Sequence, residues 1–416
     1  MHEFRIYLSL ILFAFIALVD SYSWQGIRQL AKGKSPIFEG RLRFVFWQIS
    51  ILSVVMMFYT VFSSEMSLSL RNFSTASFLT IYLSKVVFML FLLVDDVIRF
   101  FRFGFRFIKK KASPFPLSEG NKISRQDFLL KTGLVASALP FILLSKGAWN
   151  GGYRYRIHKT QVHLAKLPSA FKGLKILQIS DIHSGSWSDQ DALARGIEMA
   201  ISLKPDIIFF TGDLVNNRSE EVYPWMDLLS RLQAPMGVLS ILGNHDYGDY
   251  IHWDSPAAKA VNLELLKKAH ADLGWHLLLN EHITLEKSSQ RIGIIGVENW
   301  GNRGRFQKLG DLEKSTKNIP DVPVKLLLSH DPSHWDSKVR HETPDVDLML
   351  AGHTHGFQFG VETDWLKWSP SQYLYEQWAG HYQKGKQQLY VNRGFGFLGF
   401  PGRVGILPEI GLLKLV

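Results

Sequence analysis

Five short apolar runs in the second part of this chain each stop at an Asp, Asn or His, and that recurrence limits the fold more than any other feature. Leu174–Ser180 leads into Asp181-Ile182-His183, Asp206–Thr211 into Gly212-Asp213, and Val238–Leu242 into Gly243-Asn244-His245-Asp246. Val324–Leu328 leads into Ser329-His330-Asp331-Pro332, and Val346–Leu350 into Ala351-Gly352-His353-Thr354-His355. Short β-rich runs bounded by turn residues read as buried strands. Arg154–Leu164 reads as a further strand and His282–Val297 as a hairpin, while Asp191–Leu203, a stretch at about 221–232 and Ala257–Leu273 carry helical spacing. Strands alternating with helices predict an α/β domain, and in an open α/β sheet ligands gather outside the carboxyl ends of the strands.

The side chains at those ends narrow the chemistry. The chain has no Cys, so a metal site must use carboxylate, amide and imidazole ligands. That donor set suits Mn, Fe or Zn. In Asp-x-His and His-x-His, residues i and i+2 of an extended chain share a face, so each pair is expected to reach one cluster. Two cations close together would need a bridging carboxylate, and two-metal sites of that kind activate water and clamp a phosphoryl group.

Asp181-x-His183, Gly212-Asp213, Gly243-Asn244-His245-Asp246, His330 and Gly352-His353-x-His355 resemble, in order and form, the five motifs of the calcineurin-like metallophosphoesterases. The likeness covers about residues 160–416. Leu167-Pro168 through Phe171-x-Gly173-Leu174-Lys175-Ile176 into Ser180-Asp181, with Asn392-Arg393-Gly394 and Pro408-Glu409-Ile410, resembles the membrane-anchored bacterial branch. That branch includes proteins similar to UDP-2,3-diacylglucosamine hydrolases. The resemblance implies a four-layer α/β/β/α sandwich and two divalent metal ions. Asp181, His183, Asp213 and His355 would hold the first, and Asp213, Asn244, His330 and His353 the second. His245 would stay off the metals and donate a proton to the leaving oxygen or stabilise the charge on the phosphoryl group, with Asp246 orienting it. The implied reaction is hydrolysis of a phosphodiester or pyrophosphate by a metal-bridging hydroxide.

Residues 1–149 read differently. They carry 18 Lys and Arg against 8 Asp and Glu, whereas residues 150–416 carry 29 of each, so the whole net charge of +10 lies in the first segment. A nucleic-acid groove would place its basic stripe in the binding domain, so no nucleic-acid partner is expected and a nuclease is disfavoured. The charge instead flanks four apolar runs, Ile6–Val19, Phe44–Phe62, Phe78–Val94 and Leu129–Leu144, which predict an all-helical transmembrane anchor. Arg28, Lys32, Lys34, Arg41 and Arg43 fill the first loop. The second has only Arg71 against Glu65. The third has Arg99, Arg102, Arg106, Lys109, Lys110, Lys111, Lys122 and Arg125. The positive-inside rule then places loops one and three in the cytoplasm, and everything after residue 145 outside.

Lys85 is read as snorkelling to one interface while Asp95-Asp96 mark the other beside Arg99, with a functional charge at membrane depth as the alternative. Ser124–Lys131 resembles a twin-arginine export signal with Gln126 in place of the second Arg. The expected partners are the bilayer and a phosphoester that is lipid-linked or belongs to the envelope. Apolar loops at Trp365–Trp378 and Gly394–Phe400 are read first as ordinary core and loop packing, with gripping an acyl chain or resting on the bilayer as the functional alternative. Arg393 and Arg403 are read as solvated basic residues, with clamping of a second phosphate as the alternative. The rival reading is a membrane-bound sensor or scaffold that keeps the fold without turnover.

Overall fold

The structure, a computed structural model, describes residues 2–63, 66–108, 125–304 and 306–416. Glu65, Lys109, Lys110, Lys111, Lys122 and Ser124, which the loop-charge and export-signal readings use, lie outside the described residues. The chain divides into two compact units, Met1–Lys146 and Gly147–Val416.

The first unit is built from α1 (His2–Leu30), α2 (Pro36–Phe62), α3 (Leu68–Ile108) and most of α4 (Arg125–Asn150). The α2 start is set locally: Pro36 sits in the first turn, and the Ser35 hydroxyl accepts from the Phe38 N–H at 3.2 Å. Among the described residues, three stretches are long and apolar enough to cross a membrane: Pro36–Phe62, Leu68–Gly104 and Arg125–Tyr153. The first apolar run lies inside α1, which is not one of the three.

Lys85 does not snorkel. Its ammonium, midway along the α3 apolar run, donates to Asp20 Oδ1 of α1 and Ser50 Oγ of α2, both at 2.6 Å. The Tyr82 hydroxyl donates to the other Asp20 oxygen at 2.9 Å, and the Phe46 ring lies 4.6 Å from the ammonium. A charge within an apolar run is costly unless paired, and the Asp20 carboxylate on the neighbouring helix supplies the partner.

The second unit contains, in order, β1 (Arg156–Val162), β2 (Lys175–Ile179), α5 (Gln190–Ser202), β3 (Ile207–Phe210), α6 (Met226–Leu229), β4 (Val238–Ser240), α7 (Pro256–Asp272), β5 (Trp275–Leu277), β6 (Glu281–Lys287) and β7 (Gln290–Gly296). It continues through α8 (Leu312–Thr316), β8 (Lys325–Leu328), α9 (Arg340–Glu342), β9 (Leu348–Ala351), β10 (Val361–Glu362), β11 (Lys367–Trp368), β12 (Gly380–Lys384), β13 (Gln387–Val391) and β14 (Glu409–Leu415). The helix expected at about 221–232 is broken into two single turns and the short α6, because Pro224 interrupts the ladder.

Two six-stranded mixed sheets result, ordered β1-β14-β2-β3-β4-β5 and β12-β13-β9-β8-β7-β6. Period-two burial then makes the layers. Ile176, Ile207, Phe209 and Leu239 face Ile294, Leu326, Leu348 and Leu350 between the sheets. The alternate residues Leu177, Ile208 and Phe210 pack outward on Leu193, Ile197 and Leu266 of α5 and α7. On the other side Ile295, Leu327 and Met349 pack outward on Leu312, Trp335 and Val339. The unit is thus an α/β/β/α sandwich. The parallel trio β2, β3 and β4 and the parallel pair β8 and β9 all end at the same edge of it.

Candidate metal centre

All five strand ends deliver their polar side chains to one place. Nε2 of His183 lies 3.0 Å from Nε2 of His355, which is 3.3 Å from Asp181 Oδ1, while Asp213 Oδ2 is 3.5 Å from His183. The same Asp213 oxygen lies 3.2 Å from Nε2 of His330. That nitrogen is 3.1 Å from Asn244 Oδ1 and 3.2 Å from His353 Nδ1, which in turn is 2.8 Å from Asn244 Oδ1. Two groups able to hold a cation follow, Asp181-His183-His355 and Asp213-His330-His353, with Asp213 touching both.

The backbone achieves this otherwise than by extended pairs. Asp181, His183, Asp213, His353 and His355 all have φ between 48° and 73°, the left-handed region. Non-glycine residues rarely stay there, and clusters of them mark sites where the surroundings enforce the conformation. The left-handed turns let the side chains of these strand-end residues meet in one cluster. Gly352 makes room for the arrangement, since a Cβ there would run into Ser180 Oγ and Asp181 Oδ2.

The donor chemistry fits a divalent cation. Nδ1 of His330 donates to the Thr211 carbonyl at 2.7 Å, so only Nε2 faces the cluster. Nδ2 of Asn244 donates to the Tyr250 hydroxyl at 2.6 Å, which fixes Oδ1 as an acceptor. A proton on Nε2 of His330 could serve only one of the two oxygens within 3.2 Å, Asp213 Oδ2 and Asn244 Oδ1, whereas a metal ion serves both and the facing His353 Nδ1 as well. The demand for positive charge is plain in the electrostatics. Burial opposes a charge on His330, yet Asp213 and Asp181 overcome it and push its pKa up to about 10. Burial would likewise raise Asp213, but His330 and His245 hold it well below the usual carboxylate range.

Asp246 does not orient His245. Its Oδ2 accepts the N–H groups of Gly243 and Asp213 at 2.8 and 2.9 Å, and its Oδ1 those of Leu214 and Val215 at 2.8 and 3.2 Å. The carboxylate ties the β3 and β4 loops together because a loop turning into left-handed backbone leaves its N–H groups without ladder partners. Nδ1 of His245 instead meets the Asn216 carbonyl at 2.8 Å. A carbonyl only accepts, so Nδ1 carries the proton and Nε2 is the free ring nitrogen.

Residues 174–357 match the family description "Calcineurin-like phosphoesterase", and residues 4–152 match "Probable Calcineurin-like phosphoesterase, transmembrane domain". An uncharacterized metallophosphoesterase of Bacillus subtilis, YkuE, is 32% identical over 308 residues, covering 71% of this chain and 98% of the relative. The chain belongs to the calcineurin-like phosphoesterases. A transmembrane protein with metallophosphoesterase domain from Danio rerio is 24% identical across 98% of this chain and 88% of its own length. An uncharacterized metallophosphoesterase of Helicobacter pylori strain J99 is 29% identical over 65% of this chain and 66% of its own.

Other residues of this phosphoesterase depart from the sequence reading. Arg393 is buried and paired with Glu362 and Glu409, 2.6 Å from the latter. Arg403, 1% exposed, donates to the carbonyls of Arg393, Gly394 and Gly396, and its Nη2 lies 3.0 Å from Nδ1 of His355. Neither is free to clamp a phosphate: Arg393 is buried against two carboxylates, and Arg403 is buried among backbone carbonyls.

Tyr250 and Asp331 were given no role from the sequence, and Tyr375 was read only as part of the aromatic loop at 365–378. The Tyr250 ring lies 4.3 Å from that of His245, and the Tyr375 hydroxyl 2.9 Å from Nε2 of His353, with Asp331 Oδ2 at 3.5 Å from the same nitrogen. Their only local signal was position, two of them just after a ligand motif. The aromatic loops divide: Tyr375, Trp378, Phe395 and Phe397 are buried, whereas Trp365 and Tyr373 are 82% and 74% exposed. Beside His353 and His355 opens a cavity of about 690 Å³, walled by Phe306, Phe357, Leu374, Leu398 and Phe400 with Arg303.

Proposed function

We propose that residues 150–416 hydrolyse a phosphodiester or pyrophosphate of a lipid-linked or envelope substrate, with residues 1–149 as a multi-pass anchor in a bacterial inner membrane. The observation that carries the hydrolase reading is the convergence of acceptors around Asp213, which one proton cannot satisfy. Two divalent cations (Mn, Fe or Zn) would be held by Asp181, His183, Asp213 and His355, and by Asp213, Asn244, His330 and His353. When bound, such ions supply Lewis acidity toward phosphoryl oxygens and an acidified water.

The chain's own groups do the rest. Asp246 holds the two ligand loops in register. Asn216 holds Nδ1–H of His245, so that Nε2 is the ring nitrogen turned to the reacting group and, when the ring carries a second proton, the atom that gives it to the leaving oxygen. The cavity supports the lipid part of the reading, being apolar and of ordinary ligand size. The basic loops flanking the apolar runs support an extracytoplasmic position for residues 150–416.

The test is metal analysis of the full-length protein in detergent, with hydrolysis of bis-p-nitrophenyl phosphate with and without manganese. About two metals per chain and metal-dependent turnover support the reading; no bound metal defeats it. A phosphodiester series of rising alkyl length tests the lipid part. kcat/KM should climb roughly three- to fourfold per methylene until the cavity is filled, and a flat series removes the lipid.

A further inference from the structure

The carbonyl that holds His245 is itself held by a carboxylate. The peptide joining Asn216 to Asn217 offers its oxygen to Nδ1 of His245 at 2.8 Å, and its N–H to Glu221, 3.2 Å from Oε1 and 3.3 Å from Oε2. The N–H groups of Asn216 and Arg218 donate to the same carboxylate at 2.5 and 3.1 Å. Gly185 closes over it, with no room for a Cβ beside Glu221 Oε2. No Lys or Arg side chain forms an ion pair with Glu221 among the described residues. Its charge is therefore expressed through those three peptide N–H groups.

We propose that Glu221 is a positioning residue for His245, acting through the Asn216–Asn217 peptide; this rests on the proton-donor role proposed for His245. A hydrogen bond to an ionised acceptor is about twice as strong as a neutral one, and bonds in series polarise one another. The carboxylate draws on the Asn217 N–H, the peptide becomes more dipolar, and its oxygen grips the Nδ1 proton more firmly. The ring is then held in one tautomer with Nε2 toward the reacting group. His245 enters this step with protons on both ring nitrogens. As the P–O bond to the leaving alkoxide breaks, the departing electron pair takes the Nε2 proton, while water oxygen forms the new P–O bond, keeping one of its protons on the product phosphate and releasing the other to solvent. His245 is left carrying only its Nδ1 proton, still on Asn216. The simpler role, in which Glu221 merely closes the 216–218 loop, makes a different prediction.

The experiment uses full-length Glu221→Gln, which keeps the length and one acceptor oxygen and loses the charge. Phosphodiesters sharing one group and differing in the leaving alcohol, from p-nitrophenol to an alkanol, are compared. p-Nitrophenolate leaves without a proton, so its rate should fall less than about twofold, whereas the alkanol rate should fall about tenfold. Glu221→Asp should recover part of the loss. Combining Glu221→Gln with His245→Ala should cost no more than His245→Ala alone. In ¹⁵N spectra the His245 ring should lose its single Nδ1–H tautomer in Glu221→Gln. Equal losses on every leaving group, or additivity with His245→Ala, would overturn the proposal. If the wild type hydrolyses nothing, the phosphoesterase reading fails, and the ¹⁵N tautomer still decides whether Glu221 governs the ring.

Discussion

Asp246→Asn separates the role expected of Asp246 from the one it has. In the native loop four backbone N–H groups point at its two oxygens, at 2.8 and 2.9 Å on one and 2.8 and 3.2 Å on the other. An amide keeps one oxygen and turns an NH₂ toward the remaining two N–H donors. Two charge-assisted bonds are lost, at about 1.5–3 kcal/mol each, and two buried N–H groups are left unpaired. The loss should therefore be about 3–6 kcal/mol, a large part of the 5–15 kcal/mol that typically holds a domain together. For a unit of this size that is a fall in Tm of roughly 6–20 °C. Metal content should fall as well, because two of the N–H groups belong to Asp213 and Gly243, which carry or precede ligands. Calorimetry of the full-length protein in detergent, with metal analysis of the same sample, measures both. Tm within 2 °C of wild type, full metal content and lost turnover would refute the reasoning and return Asp246 to a role on His245.

His245→Ala should keep its metals and lose about 10²–10⁴ in turnover on substrates with poor leaving groups; an emptied site would mean that His245 is a ligand. His270, fully buried beside Phe210 and Trp275, is pushed by burial down to about 3. The fold then binds fewer protons than the unfolded chain between pH 6.5 and 3, so its stability drops as pH falls, by about 1.4 kcal/mol per unit. Urea melts of His270→Gln at pH 6.5 and 4.5 should show a decline about 2.3 kcal/mol smaller than in wild type; an unchanged decline refutes the assignment. In the membrane unit, Lys85→Met should cost about 3–5 kcal/mol by stranding Asp20. Adding Asp20→Asn should restore most of that in detergent melts, and strictly additive losses would show the pair to be uncoupled.

Much of the site was legible because ligands follow strand ends. Asp181, Asp213, Asn244, His330 and His353 each follow a short apolar run, and the shortness, β-richness and bounding turn residues of those runs identify buried strands without knowledge of their neighbours. What misled was the assumption that i and i+2 share a face by extension. Asp181 and His183 both adopt left-handed backbone, which no pattern of residue types announces. Arg393 and Arg403 looked available because a basic residue beside a glycine-rich loop is usually solvated; here their partners are Glu362, Glu409 and a set of carbonyls far along the chain.

The sequence by itself determined the ligand types, the absence of thiolate chemistry, the alternation of strand and helix, and the apolar helices at the start. These follow from composition and local periodicity, which a residue carries wherever the chain goes. Only the tertiary structure decided that Asn216 rather than Asp246 holds His245, that Lys85 pairs with Asp20, and that Asp213 stands between both metal groups. His183 and His355 meet at 3.0 Å across 172 positions of sequence. Hydrogen bonds and ion pairs select among near neighbours by a few tenths of an ångström, and those neighbours exist only once two sheets have packed face to face.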